Sequence, residues 1–345
     1  MKRIAIEEHF LTESYLDYLR ARKGYPRVEV DDEKHDGSLR LYRTSERKNS
    51  TVWSPAQLKG MLDIGAGRIK EMDEAGVDMQ VLSLNNPGVE VFEAADGIAM
   101  ARKANDELAE VCRHYPTRFA GFAAIPCQDP LAAAAELERA VTKLGLKGAK
   151  INSHVNGEYL DNKKYWPIFE KSQQLGVPVY LHPREPPPDM LKALMPYTSL
   201  TGSMWGFGAD MSLHVMRLIL SGLFDEYPQL KIILGHLGEA FPFWLWRLDN
   251  RWNRQAASSD AIASKIKKTP GQYIRDNFYA STSGNFWHPA LLCACSALGA
   301  DKVLFAVDHP QEQMKVAVKF IETASIPDAD KEKIFHLNAE KLLAL

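Results

Sequence analysis

Cysteine is scarce in this chain: the four present in 345 residues, Cys112, Cys127, Cys293 and Cys295, form neither a secreted disulfide framework nor a C-x-x-C zinc pattern. A disulfide-stapled extracellular scaffold is thereby excluded, and a reducing cytoplasm is the expected compartment. Long apolar runs are also missing. No stretch of about 18 uncharged apolar residues occurs, and Met1-Lys2-Arg3 leads straight into a short apolar segment. Neither a membrane span nor a leader is expected, and the protein reads as soluble and unprocessed. Charge of one sign is lacking too, with a formal net charge of -2, so no basic field awaits nucleic acid or an anionic membrane. The locally basic segment from Arg40 to Lys48 reads as a solvated loop. No G-x-G-x-x-G or G-x-x-x-x-G-K-[ST] follows any apolar segment, which leaves nucleotide binding without support. Internal repeats of solenoid period and low-complexity tracts are absent.

What is present is alternation. With 46% hydrophobic residues the chain can bury a large core. Apolar strand segments at 3–10, 77–84, 119–125, 148–152, 177–182, 230–236, 278–282 and 303–308 alternate with helical patterns at 55–76, 94–115, 130–144, 164–175, 211–225, 241–255 and 288–298. Between the first strand and Pro55, the polar stretch 12–54 reads as an elaborated loop, long enough to act as a lid. Eight βα units in one domain spanning 1–345 allow an open doubly wound sheet or a closed barrel. The ligand-type residues decide between them. They end the first, fifth, sixth and eighth strands, and only a closed (β/α)8 barrel of α/β class brings those four ends to one mouth.

Those residues are Glu7 and His9, which share a face at spacing i, i+2, then His182, His236 and Asp308. Imidazoles with carboxylates and no thiolate suit a catalytic Zn²⁺, Mn²⁺ or Fe²⁺ more than a closed structural zinc site. If Glu7, His9, His182 and Asp308 hold one ion, His236 is left to act on substrate, oriented by Glu239. Phe10, Trp205, Phe207 and Phe286 are candidate aromatic walls. One enzyme reading of this site is hydrolysis of an ester, lactone or amide. A metal-stabilised binding protein is the non-enzymatic alternative, weakened because a barrel mouth leaves coordination positions open. Strand one carries no His-x-His, and Lys150 gives no clear carbamylated-lysine signature, which argues against a binuclear hydrolase.

The motifs Glu7-Glu8-His9-Phe10, Leu181-His182-Pro183-Arg184, Gly235-His236-Leu237-Gly238-Glu239 and Val307-Asp308-His309-Pro310 resemble the amidohydrolase superfamily, in its branch of metal-dependent, non-oxidative phenolic-acid decarboxylases. The chain is most similar there to the γ-resorcylate and 5-carboxyvanillate decarboxylase groups. Ala104-Asn105-Asp106, Ser221-Gly222-Leu223-Phe224-Asp225 and Trp246-Arg247-Leu248-Asp249-Asn250 extend the likeness over essentially the whole chain. The resemblance implies an amidohydrolase-type TIM barrel with one divalent ion per chain, Mn²⁺ or Zn²⁺, held by Glu7, His9, His182 and Asp308. It makes Asp308 also the proton donor, places His236 and Glu239 beside the substrate, and assigns Arg247 to the substrate carboxylate or phenolic oxygen. A small aromatic carboxylate as substrate and a homodimer or homotetramer are further implications. His309 departs from the pattern, standing where an aromatic residue commonly precedes the proline, and the basic loop from about Arg20 to Lys48 has no clear counterpart.

Overall fold

The computed structural model describes residues 1–45, 50–258 and 266–345. Among them twelve strands are numbered in chain order: β1 Ile4–Phe10, β2 Arg27–Val30, β3 Leu39–Tyr42, β4 Ser50–Trp53, β5 Met79–Leu84, β6 Phe119–Gly121, β7 Ala123–Ala124, β8 Ala149–Asn152, β9 Val179–His182, β10 Ile232–Leu234, β11 Phe278–Ser281 and β12 Val303–Leu304. Parallel ladders run β1-β5-β6 and β7-β8-β9-β10-β11-β12. β6 and β7 are one stave interrupted at Phe122, whose N–H turns back to the Leu82 carbonyl at 2.9 Å. The ring closes between the first and last strands. Ile6 N–H donates to Phe305 O at 3.0 Å, Asp308 N–H to Glu7 O at 3.0 Å, and His9 N–H to His309 O at 2.8 Å. Eight staves and their helices make the (β/α)8 barrel expected from the strand-end residues.

Two apolar layers fill it. Ile4, Ile6, Val81, Phe122, Tyr180, Ile233 and Leu304 pack inside the ring, where Ala339 and Leu343 of the helix Asn338–Leu343 join them. A larger cluster, including Leu82, Leu108, Ile151, Phe169, Leu218 and Phe278, lies between staves and helices. Local signals set several helix ends. A Ser54/Gln57 capping box with Pro55 opens Pro55–Leu62, and Asp129 with Pro130 opens Pro130–Thr142. The helical pattern over 55–76 is two helices, Pro55–Leu62 and Ala66–Ala75. Asp63 Oδ1 accepts from Gly65 N–H at 3.2 Å and turns the chain between them.

The elaboration after β1 carries regular structure: a helix, Glu13–Ala21, and the antiparallel meander β2-β3-β4. Its strands are four residues each, short enough for their alternation to be lost among the surrounding charges. Part of the basic segment, 46–49, and the polar link at 259–265 lie outside the described residues. No helix among the described residues is long and apolar enough to cross a membrane.

Candidate active site

Glu7 and His9 reach the inside of the barrel only because β1 changes phase. Ile4 and Ile6 already face the interior, so strict alternation would send Glu7 and His9 outward. Pairing to β5 runs Ala5 with Gln80 and then Glu8 with Leu82, three steps against two, and this bulge turns the side chains after Ile6 over. Glu7, His9 and His182 then present one ligand atom each within 4.8 Å of one another, all three residues being buried. The His9 and His182 rings meet edge to face at 5.0 Å between centroids.

Asp308 stands beside this cluster, its Oδ1 2.9 Å from His9 Nε2. The Tyr180 hydroxyl and Ser281 Oγ, the latter at 2.9 Å, donate to Glu7 Oε2. Lys150 Nζ donates to Leu84 O at 3.0 Å and lies 3.3 Å from His9 Nδ1. Glu7 Oε1, buried, has no hydrogen-bond partner among the described residues, and His182 Nε2 lies 3.4 Å from it. Such an orphaned acceptor is costly unless something cationic occupies the space. Burial holds the His9 and His182 imidazoles far below their usual pKa, in the neutral form that coordinates metals. The donor set therefore fits one divalent ion.

His236 follows β10 on a turn in which five consecutive residues, His236 to Ala240, all have positive φ, from 51° to 82°. Four of them are not glycine, and each costs roughly 1–2 kcal/mol in that region. The turn brings Glu239 Oε1 to 2.6 Å from His236 Nδ1. Burial pulls the His236 pKa down, but the Glu239 carboxylate and its hydrogen bond outweigh this and lift it to about 10. For Asp308, burial against the opposing pull of His236 and Lys150 pushes the carboxyl up to about 6. Gly284, at φ 59°, permits the approach of these two: a Cβ there would stand 3.3 Å from Asp308 Oδ2 and 3.4 Å from His236 Cδ2.

His9, His182, His236, Glu239 and Asp308 all face one cavity of about 1050 Å³. Its aromatic walls include Trp53, Trp205, Phe207, Phe241 and Trp244. Trp205 and Phe207 were expected there; Phe10 and Phe286 were also expected and are elsewhere. Phe10 is buried in the outer core because it falls on the opposite face of β1 from His9, and Phe286 packs on Phe320 at 5.7 Å between centroids. Arg247 does not line the cavity. It is exposed on the helix Phe241–Ser258, with its guanidinium 5.9 Å from the centroid of Trp244.

Sequence reasoning missed Arg43 and Trp53, which reach the cavity from the meander. Arg43 Nε lies 2.5 Å from Glu185 Oε1, and its Nη1 donates to Thr51 Oγ1 at 2.8 Å. A basic residue in an alternating Leu-Arg-Leu-Tyr-Arg run was the available signal. Lys150, inside the apolar strand Ala149–Asn152, had no role assigned from sequence; its side chain points inward to His9.

An α/β barrel with buried carboxylate and imidazoles at its strand ends defines a metal-dependent amidohydrolase-type enzyme. The chain belongs to the amidohydrolase family, whose model matches residues 54–345. It is 40% identical over 350 residues to a γ-resorcylate decarboxylase of Polaromonas sp. strain JS666, covering 99% of this chain and 98% of that protein. Among solved structures it is similar to 5-carboxyvanillate decarboxylase from Sphingomonas paucimobilis (TM-score 0.87, 38% identity, 100% of this chain and 99% of that one). It also matches the Polaromonas sp. JS666 dihydroxybenzoic acid decarboxylase with bound manganese and the inhibitor 2-nitroresorcinol (TM-score 0.84, 39% identity, 100% and 97%).

Proposed function

We propose that this chain is a non-oxidative decarboxylase of ortho-hydroxylated aromatic carboxylic acids of the dihydroxybenzoate type, with one Mn²⁺ or Zn²⁺ per chain. The observation that carries this reading is the juxtaposition of Asp308 with the Glu7-His9-His182 cluster at the floor of an aromatic-walled cavity. When bound, the divalent ion supplies positive charge for the carboxylate and ortho phenolate oxygens. Direct cleavage of the bond between ring and carboxylate would leave a carbanion, so the ring carbon is protonated first. Asp308 delivers that proton from Oδ, placed for it by its position beside the Glu7-His9-His182 cluster on the cavity floor. The C–C bond then breaks, CO₂ leaves, its bonding pair restores the aromatic ring, and Asp308 regains a proton from solvent. His236, kept cationic by Glu239, binds the phenolic oxygen, and Arg43 adds a second cation on the cavity wall.

The barrel and its 12–54 insertion work as one domain, and the protein acts in the cytoplasm as a homodimer or homotetramer. Free cysteines support the first setting. Exposed Phe243, Trp244 and Trp246 of the helix Phe241–Ser258, with Trp244 also lining the cavity, support the second, since exposed aromatics of this kind suit a second copy. Arg247 sits on the same helix, so a substrate contact for it requires the assembled oligomer. The test is a screen of metal-loaded protein against hydroxybenzoates for CO₂ release, beside esters, lactones and amides. CO₂ from an ortho-hydroxybenzoate supports the proposal; hydrolysis without CO₂ release assigns the site to the hydrolytic alternative.

A further inference from the structure

Glu8 lies between two proposed ligands and faces away from both. The bulge that turns Glu7 and His9 inward leaves Glu8 pointing out of the ring, fully buried. There its carboxylate meets the last stave. Val307 N–H donates to Glu8 Oε1 at 3.0 Å and His309 N–H to Oε2 at 3.2 Å, while the amide between them, Asp308 N–H, donates to Glu7 O. Three successive N–H groups converge on one side because Asp308 has φ 79°. Successive amides folded around a left-handed residue form a concave acceptor site, or nest, and here a side-chain carboxyl of the same protein fills it. The carboxylate is itself supported. Gln80 Nε2 donates to Glu8 Oε2 at 3.3 Å, and Arg68, buried behind it, donates to Gln80 Oε1 at 3.3 Å and to His9 O at 2.9 Å.

We infer that Glu8 is a positioning residue for Asp308: by filling the nest made by the amides of Val307 and His309, it holds Asp308 in the left-handed conformation that aims its carboxylate at His9 and the cavity. The inference rests on the proposed role of Asp308 as proton donor. Glu8 touches no substrate and no proposed ligand side chain; it sets where the acid stands. Misplacing a reacting group by about 1 Å can cost on the order of 10²-fold in rate, so a residue acting in this way should govern kcat rather than binding.

Glu8→Gln tests this, because its amide puts a donor where one of the two backbone donors needs an acceptor. Hydrogen exchange in a peptide spanning 303–312 is measured on the metal-loaded protein without substrate. Exchange at the Val307 and His309 amides should rise about tenfold or more. With a decarboxylated substrate, kcat should fall about 10- to 100-fold, with KM and bound metal within about threefold of wild type. Glu8→Asp, which keeps both acceptor oxygens, should recover part of the loss. In the Asp308→Asn background the same Glu8→Gln change should cost less than about threefold, since residues acting through one another are not additive. Unchanged exchange, unchanged kcat, or an equal loss in the Asp308→Asn background each overturns the inference. If Glu8→Gln does not fold, Glu8→Asp carries the same measurements, and failure of both to fold assigns Glu8 to barrel closure instead. A wild-type protein that decarboxylates nothing defeats the proposed function, whereas the exchange measurement still reports on Glu8.

Discussion

Removing the Glu239 charge should move the titration of His236 by about three pKa units. Glu239 Oε1 is 2.6 Å from His236 Nδ1, and the His236 side chain retains 28% exposure toward the cavity. That exposure sets an effective dielectric nearer 20 than 4. Two unit charges about 4 Å apart then interact by about 4 kcal/mol, or roughly three pKa units. Glu239→Gln keeps the shape and a hydrogen-bonding group but not the charge, so His236 should fall from about 10 to about 7. The assay is NMR titration of histidine Cε1-labelled, chelated protein, with His236→Gln assigning the resonance. At pH 8 the wild-type ring is cationic and the variant ring is mostly neutral. The loaded variant should accordingly bind its substrate more weakly at pH 8 than at pH 6, a contrast the wild type should not show. A His236 midpoint within about half a unit of wild type in Glu239→Gln would refute the assignment of Glu239 as the source of that charge.

His182→Ala should remove most of the bound divalent ion, read by elemental analysis after equilibrium dialysis, with activity falling in parallel. Arg43→Ala should raise KM about 10- to 100-fold, as expected for losing a charge-assisted hydrogen bond, with metal content unchanged; wild-type KM would return Arg43 to a purely structural pairing with Glu185. Burial holds His214 at a pKa of about 3, against an ordinary 6.5, so the unfolded chain binds the proton first as pH falls. Its contribution is complete above pH 6.5 and is lost between about 6.5 and 3, at about 1.4 kcal/mol per pH unit. Denaturant unfolding of metal-free protein between pH 6 and 4 should therefore show a slope shallower by about one proton in His214→Gln than in wild type.

The ends of the barrel strands were legible from sequence, and the routes that deliver them were not. Apolar runs ending in His182, His236 and Asp308 announce their staves, because a strand buried on both faces reads as a near-continuous apolar run and the polar residue at its end stands out. Glu7 and His9 were rightly read as sharing a face. Which face depends on the bulge between Ala5 and Glu8, and a bulge is set by pairing with β5, not by β1 alone. Phe10 was misjudged for the same reason: one residue past His9, it falls on the opposite side. The left-handed run from His236 to Ala240 contains a single glycine, Gly238, so its conformation carries almost no local signature. The meander of the 12–54 segment escaped notice because its strands are four residues each, too short for the alternation of Leu39–Tyr42 to stand out among the surrounding charges. Arg247 resembles a substrate arginine by spacing, yet one chain leaves it outside its own cavity.

The measurement that bears most directly on the central claim is the fate of solvent hydrogen. Metal-loaded protein is incubated with 2,6-dihydroxybenzoate in D₂O, and the product is read by NMR and mass spectrometry, for wild type and Asp308→Asn. The expected result is CO₂ release with one deuterium on the carbon that bore the carboxylate. In metal-replete Asp308→Asn turnover should fall by about 10²–10⁴, the range for losing general acid catalysis. Decarboxylation at the wild-type rate by metal-replete Asp308→Asn would contradict the account, as would an active protein that hydrolyses esters or lactones and releases no CO₂ from any ortho-hydroxybenzoate.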